Sequence, residues 1–203
     1  MAAMETPSII PNANQERLLD EISSFLRTVE NLTPGKVLED HLNHSYGPGT
    51  HYYDTFGSLV KQGLAEGWVA NIEVQGRKYR RSRLCGPSER TSWFSVTTVF
   101  MDPSSTETQG EHEREKVLLG QYHKHPYGEI NCVIPIDEGA ELRGLAGWMG
   151  KGWPLLPSAD DDEKRGSHHY PEARRGALVA LFFLPAGRIS YDAKPEDAKP
   201  DFV

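Results

Sequence analysis

Gly120-Gln-Tyr-His123-Lys-His125-Pro-Tyr-Gly128-Glu129-Ile-Asn-Cys-Val-Ile-Pro135 is the stretch that decides how the chain is read. Residues two apart on a strand face the same side, so His123 and His125 offer two imidazoles to one point from a single edge. Pro126, Tyr127 and Gly128 then make a turn. Glu129 opens the next strand, where its carboxylate returns to the same place. Nitrogen and oxygen donors of this kind suit a divalent transition metal (Fe, Mn, Zn, Ni or Co) and exclude a soft thiolate cluster. Imidazole ligands are neutral and Glu129 carries one negative charge, so a divalent ion held there would keep net positive charge, still a Lewis acid. Glu129 can equally serve as general acid or base beside the metal, a role that spacing alone does not separate from ligation.

Outward from this turn the strand pattern continues. Lys116 to His125 and Glu129 to Ile136 read as strands, as do Ser92 to Met101 and the apolar run Ala177 to Leu184. Trp68 to Val74 and Lys78 to Leu84 flank Gln75-Gly76, a hairpin signal. Many short strands divided by Pro, Gly and Asp clusters predict a barrel or sandwich. Before Gly67 the period is helical. Leu18, Leu19, Ile22, Phe25, Leu26 and Val29 paint one stripe. Thr33-Pro34 reads as an N-cap and first turn for a helix burying Val37, Leu38 and Leu42, with Gly47 near its stop. Tyr53, Phe56, Leu59, Val60 and Leu64 form a third stripe closed by Gly67. The expected organisation is a tail over 1–12, a helical segment over 13–67, a β-domain, barrel or sandwich, over 68–192 and a tail over 193–203.

Composition narrows the function classes. A formal charge of −7 offers no basic surface for nucleic acid, the run Arg77 to Arg83 being a local exception. The run Ala177 to Leu184 is far below the roughly 20 residues of a membrane helix. The N-terminus lacks the positive start and apolar run of a signal peptide, and two cysteines, Cys85 and Cys132, make no disulfide framework, so a cytoplasmic protein is expected. Cys132, set among Ile130, Val133 and Ile134, reads as a packing residue. His41, His44 and His51 fall in the helical segment without a ligand motif and receive no role. Asp160 to Glu163 reads as a solvated carboxylate run in one of two long polar loops, Asp102 to Arg114 and Lys151 to Gly166, that suit the mouth of a site. Trp148 and Trp153 read as packing aromatics before pocket-lining ones. Any self-association would most commonly give a homodimer.

His123-x-His125-x3-Glu129 is similar to the first metal motif of the cupin superfamily. Gly166-Ser167-His168-His169 resembles the Gly-x-x-His core of the second. That resemblance selects His169 as the fourth ligand, although Lys164 stands where a proline is usual. His168 is its rival, since neighbouring strand residues face opposite sides. The resemblance therefore implies a mainly β, cupin-type β-barrel carrying a helical N-terminal segment, α+β overall.

A closer resemblance covers about residue 15 to Tyr191. Gly67-Trp68, Tyr79-Arg80-Arg81, His125-Pro-x-Gly128-Glu129-Ile, Gly166-Ser-x-His169 and Leu184-Pro-Ala-Gly187 together resemble the 4-hydroxylaminobenzoate lyase family. What this implies is a metal-dependent lyase converting 4-hydroxylaminobenzoate and water to 3,4-dihydroxybenzoate and ammonia, in nitroaromatic breakdown. The partner is then a small aromatic substrate whose carboxylate calls for a planar arginine. Of Arg81, Arg83, Arg143 and Arg188, the family-like Tyr-x-Arg setting favours Arg81, with Tyr79 beside it. The same ligands would also serve a cupin dioxygenase holding Fe(II), or a non-catalytic cupin that binds a small molecule.

Overall fold

The computed structural model of the chain describes residues 12–105, 116–144, 146–156 and 168–191. The helical third begins with α1 (Ala13–Val29), whose Asn12 side chain caps the backbone N–H groups of Asn14 and Gln15. Its buried stripe is the one the apolar spacing predicts. The second helix departs from expectation: α2 (Lys36–Ser45) starts after Gly35, with no side-chain cap, so Thr33-Pro34 lies ahead of the helix rather than opening it. Gly35 is extended there, and the first N–H groups of α2 lack the hydroxyl acceptor that Thr33 was expected to give. Helix α3 (His51–Glu66) closes at Gly67, whose φ of 82° is the left-handed cap that glycine adopts without a Cβ clash.

Twelve strands follow among the described residues: β1 (Ile72–Glu73), β2 (Tyr79–Cys85), β3 (Phe94–Met101), β4 (Val117–Leu119), β5 (His123–Lys124), β6 (Glu129–Pro135), β7 (Glu141–Gly144), β8 (Gly147–Met149), β9 (Leu155–Leu156), β10 (His168–His169), β11 (Glu172–Arg174) and β12 (Leu178–Pro185). A six-stranded sheet runs β1-β2-β3-β12-β6-β9, a four-stranded sheet β4-β11-β7-β8, and β5 pairs with β10. The ladders between these strands are antiparallel. This is the mainly β architecture with N-terminal helices that the sequence predicts. Its sheets are consistent with a cupin barrel, and among the described residues they are three separate sets of ladders.

Two segments correct the expected strands. The stretch 116–125 is not one strand: β4 and β5 belong to different sheets, divided at Gly120. There the Gly120 N–H donates to the Pro171 carbonyl, and a Cβ would lie 2.8 Å from the Tyr79 ring, so the chain passes too close for any side chain. The first strand of the hairpin is short, Ile72–Glu73, because Trp68 to Ala70 belong to the turn out of α3. In that turn the Ala70 N–H, at a left-handed φ of 46°, is taken by the buried hydroxyls of Ser82 and Thr98 at 2.7 and 3.0 Å.

The six-stranded sheet is buried on both faces in its middle, so β12 reads as a continuous apolar run and β6 is buried at every position, Glu129 and Asn131 included. One face carries Val96, Ile130, Cys132, Ile134, Val179, Leu181 and Phe183, which pack against Ile22, Phe25, Phe56 and Val60 of the helices. Trp153 joins this core. It is fully buried, stacks on Phe25 at 4.8 Å between ring centroids, and donates its indole N–H to the Tyr46 carbonyl. Complete burial of each such side chain stabilises the fold by roughly 1.5–3 kcal/mol. The other face carries Val99, Met101, Val133, Leu178, Ala180 and Phe182 against Leu118, Leu142 and Ala173 of the four-stranded sheet. The candidate site lies against the six-stranded sheet, where β2, β3, β6 and β12 meet β5.

Candidate metal centre and its cavity

Three short elements bring the cluster together. Gly128, at φ 75°, lets the chain reverse after His125, and its N–H donates to the His125 carbonyl at 3.2 Å. This tight turn returns Glu129 beside the histidines at the first position of β6. The fourth residue arrives by strand pairing: His169 on β10 lies directly opposite His123 on β5, while His168 lies opposite Lys124. Opposed residues of an antiparallel pair project to the same side, which puts the His169 ring 4.6 Å from that of His123 and 5.4 Å from that of His125, centroid to centroid. Gly166 and Ser167 lie outside the described residues, as does the run Asp160 to Glu163 and the greater part of both long loops.

His123, His125, Glu129 and His169 each present one donor atom, all within 4.8 Å of one another, and the first three residues are buried. His123 Nε2 and His125 Nε2 are 2.7 Å apart, and His125 Nε2 is 2.7 Å from Glu129 Oε2. Donors bound about 2.1 Å from one ion sit roughly 3 Å from each other, so this spacing fits a shared ion. The tautomer of His123 also fits. Its Nδ1–H donates to the Gln121 carbonyl at 2.6 Å, which leaves a bare lone pair on Nε2, the atom inside the cluster. Burial, then the adjacent His125, pushes the His123 imidazole down to about 4, so the ring is neutral at neutral pH. Burial would push the Glu129 carboxyl up, but the nearby rings of His125, His169 and His123 outweigh it and hold the group at about 2. A buried carboxylate beside three imidazoles is a donor set that can hold a divalent metal ion.

The cluster forms part of the wall of a cavity of about 270 Å³. His123, His125 and Glu129 stand on one side. Tyr79, Arg81 and Arg83 follow one another at alternate positions of β2 and stand on another, with Thr97 and Val99 of β3 and Phe182 and Leu184 of β12 making the apolar floor. Two guanidinium groups and one carboxylate give the lining an excess of positive charge within a chain of net charge −7, a setting that attracts an anion. Arg81 donates to the Tyr191 hydroxyl at 2.7 Å. Burial pushes the Tyr79 phenol well above its ordinary value, so it stays protonated and able to donate.

Of the four arginines weighed from sequence, Arg81 and Arg83 reach this cavity. Arg143 instead meets Glu172 at 3.1 Å on the four-stranded sheet, and Arg188 is exposed outside the lining. Trp153 packs in the helix-facing core, and Trp148 lies under the Arg174 guanidinium at 4.3 Å. His41 and His44 on α2 and His51 on α3 stay out of the lining; His51 meets Glu21 at 3.0 Å on the surface. Tyr191 escaped the sequence reading. It comes to the cavity because Ser190 and Lys124 exchange backbone hydrogen bonds at 2.9 and 3.0 Å, a pairing across 66 residues that no local pattern signals.

Comparison with known proteins follows the same region of the chain. Residues 20–191 match the family described as "PnbB: 4-hydroxylaminobenzoate lyase". A protein of Nocardioides sp. (strain LMS-CY) named 4-hydroxylaminobenzoate lyase is 51% identical over 178 residues, covering 88% of this chain and 95% of that relative. One of the same name from Pseudomonas putida is 47% identical over 178 residues, covering 88% of this chain and 96% of the relative. Among the described residues no helix is long and apolar enough to cross a membrane. With every part of the cluster and its cavity inside the matched span, the chain belongs to the 4-hydroxylaminobenzoate lyase family.

Proposed function

We propose that the chain is a carbon–nitrogen lyase that converts 4-hydroxylaminobenzoate and water to 3,4-dihydroxybenzoate and ammonia, a step of nitroaromatic breakdown. The observation that carries this reading is one cavity with a metal-capable His/Glu cluster on one wall and Arg81 and Arg83 on another, in a chain about half identical to relatives of that name. His123, His125, Glu129 and His169 would hold the ion, a divalent Fe, Mn, Zn, Ni or Co. When bound there, it would supply Lewis acidity to the N–O group of the substrate.

The residues of the chain do the rest. Arg81 offers a planar double donor to the benzoate carboxylate, oriented by its bond to Tyr191, and Arg83 adds a second positive charge. Protonated Tyr79 stands on the same face of β2 as a hydrogen-bond donor toward the bound ring. Val99, Phe182 and Leu184 give that ring an apolar seat. Glu129 is a carboxylate at neutral pH, fit to ligate and, if released, to accept a proton.

The reaction balances without an external oxidant or reductant. The substrate carries one oxygen outside its carboxylate and the product carries two, so water supplies at least one ring hydroxyl while nitrogen leaves as ammonia. A cytoplasmic setting suits such a redox-neutral step and the two free cysteines. The test is turnover of 4-hydroxylaminobenzoate by metal-loaded protein, with and without air. Stoichiometric ammonia in both is the expected result, with oxygen-18 from labelled water entering the ring hydroxyls. A strict need for oxygen would transfer the cluster to dioxygenase chemistry, and binding without turnover would leave a small-molecule carrier.

A further inference from the structure

Asn131 is a buried amide whose side chain makes one hydrogen bond among the described residues. It follows Glu129 by two positions on β6, so both side chains leave the strand on the same face, and each is 1% exposed. Asn131 Nδ2 donates to Glu129 Oε1 at 2.6 Å. Among the described residues its Oδ1 is buried without a hydrogen-bond partner. Were the amide turned over, two acceptor oxygens would face each other at that distance, so the N–H group must be the one that meets the carboxylate.

Packing gives no reason for an amide here. The neighbours along β6 are Ile130, Cys132, Val133 and Ile134, and the residue across the ladder on β12 is Phe182. An apolar side chain of similar volume would fill the place without burying an orphaned carbonyl, which costs stability. What the amide achieves is to occupy one oxygen of Glu129. The other, Oε2, is the one within 2.7 Å of His125 Nε2, inside the cluster. Each carboxylate oxygen thus has its own assignment, one to the protein and one to the donor group.

We infer that Asn131 is a positioning residue that restricts Glu129 to a single coordinating oxygen, Oε2, and so keeps a coordination position open for substrate or water. The inference rests on the metal reading above. A carboxylate with both oxygens unengaged can swing to bind through two, filling the position that the reaction needs. Outer hydrogen bonds of this type orient the ligand itself, and losing one typically lowers metal affinity about 10–100-fold.

Cobalt(II) is the probe, because its visible absorption weakens and shifts as coordination number rises. Asn131→Leu removes the donor at nearly constant volume, and Asn131→Ala removes it without adding bulk or charge, so the second decides if the first does not fold. In either folded variant the cobalt spectrum is expected to move toward higher coordination, with affinity by chelator competition reduced at least about 10-fold. Wild-type spectrum and affinity in the folded variants would overturn this inference alone. A wild-type protein that takes up no cobalt would overturn the metal reading, and this inference with it.

Discussion

The two faces of the six-stranded sheet put different physics on the same strands. On β6, Ile130, Cys132 and Ile134 face the helices, while Glu129 and Asn131 face the cavity end; on β12, Phe183 faces helix α1 while Phe182 and Leu184 line the cavity. On β2 the division is as clear, with Tyr79, Arg81 and Arg83 toward the cavity and Leu84 in the helix-facing core. Residue parity therefore tells what a position is for. One parity holds the fold and is mostly apolar, its hydroxyls Ser82 and Thr98 serving the Ala70 N–H of the turn out of α3; the other carries Glu129 and Asn131, buried polar groups that cost stability and stand around a site.

The comparison breaks first, if it breaks, at the cluster. Glu129→Gln and His123→Ala should each lower metal affinity and turnover by more than about 100-fold, beyond the loss of an outer partner, in protein that keeps its far-ultraviolet dichroism. His169→Ala is expected to follow them and His168→Ala to keep its metal, because register sets only His169 opposite His123. Metal analysis of the purified variants checks this, and full metal in Glu129→Gln would remove the chemical meaning of the cavity face.

The opposite face should respond in the opposite currency. Trp153→Ala empties a fully buried indole site between Phe25, Phe56 and Phe183, with an expected loss of about 3–5 kcal/mol, roughly 6–20 °C in Tm. Its folded fraction should retain KM for the substrate. A tenfold rise in KM with an unchanged Tm would mean that the two faces are not separable. Smaller again is Arg81→Ala, which removes charged hydrogen bonds worth about 1.5–3 kcal/mol and should raise KM roughly 10–150-fold, with little change in Tm. Steady-state kinetics together with melting curves distinguish that split from general damage.

Much of this division is legible in the chain because its signals are local. The His123, His125 and Glu129 group sits around one turn, so strand alternation and a Pro-Tyr-Gly reversal suffice to bring three donors together. The helical stripes and the apolar runs of β6 and β12 are long enough for their period to speak. Strands of two to four residues, such as β5, β9 and β10, are too short for alternation to register. The break at Gly120 arises from the approach of Tyr79, some 40 residues upstream in sequence, and Tyr191 joins the cavity through a backbone bridge to Lys124. Asn131 was hidden for a different reason: inside an apolar strand, one amide looks like a tolerated polar residue until its partner is seen to be Glu129.

The most direct measurement of the central claim is anomalous diffraction from crystals of the protein loaded with one divalent metal, recorded at that metal's absorption edge. One peak is expected, about 2.0–2.2 Å from Nε2 of His123, Nε2 of His125, a ring nitrogen of His169 and Oε2 of Glu129, facing the cavity that Arg81 lines. A fully loaded crystal whose peak lies elsewhere, or whose four side chains bond only to one another, would contradict the account.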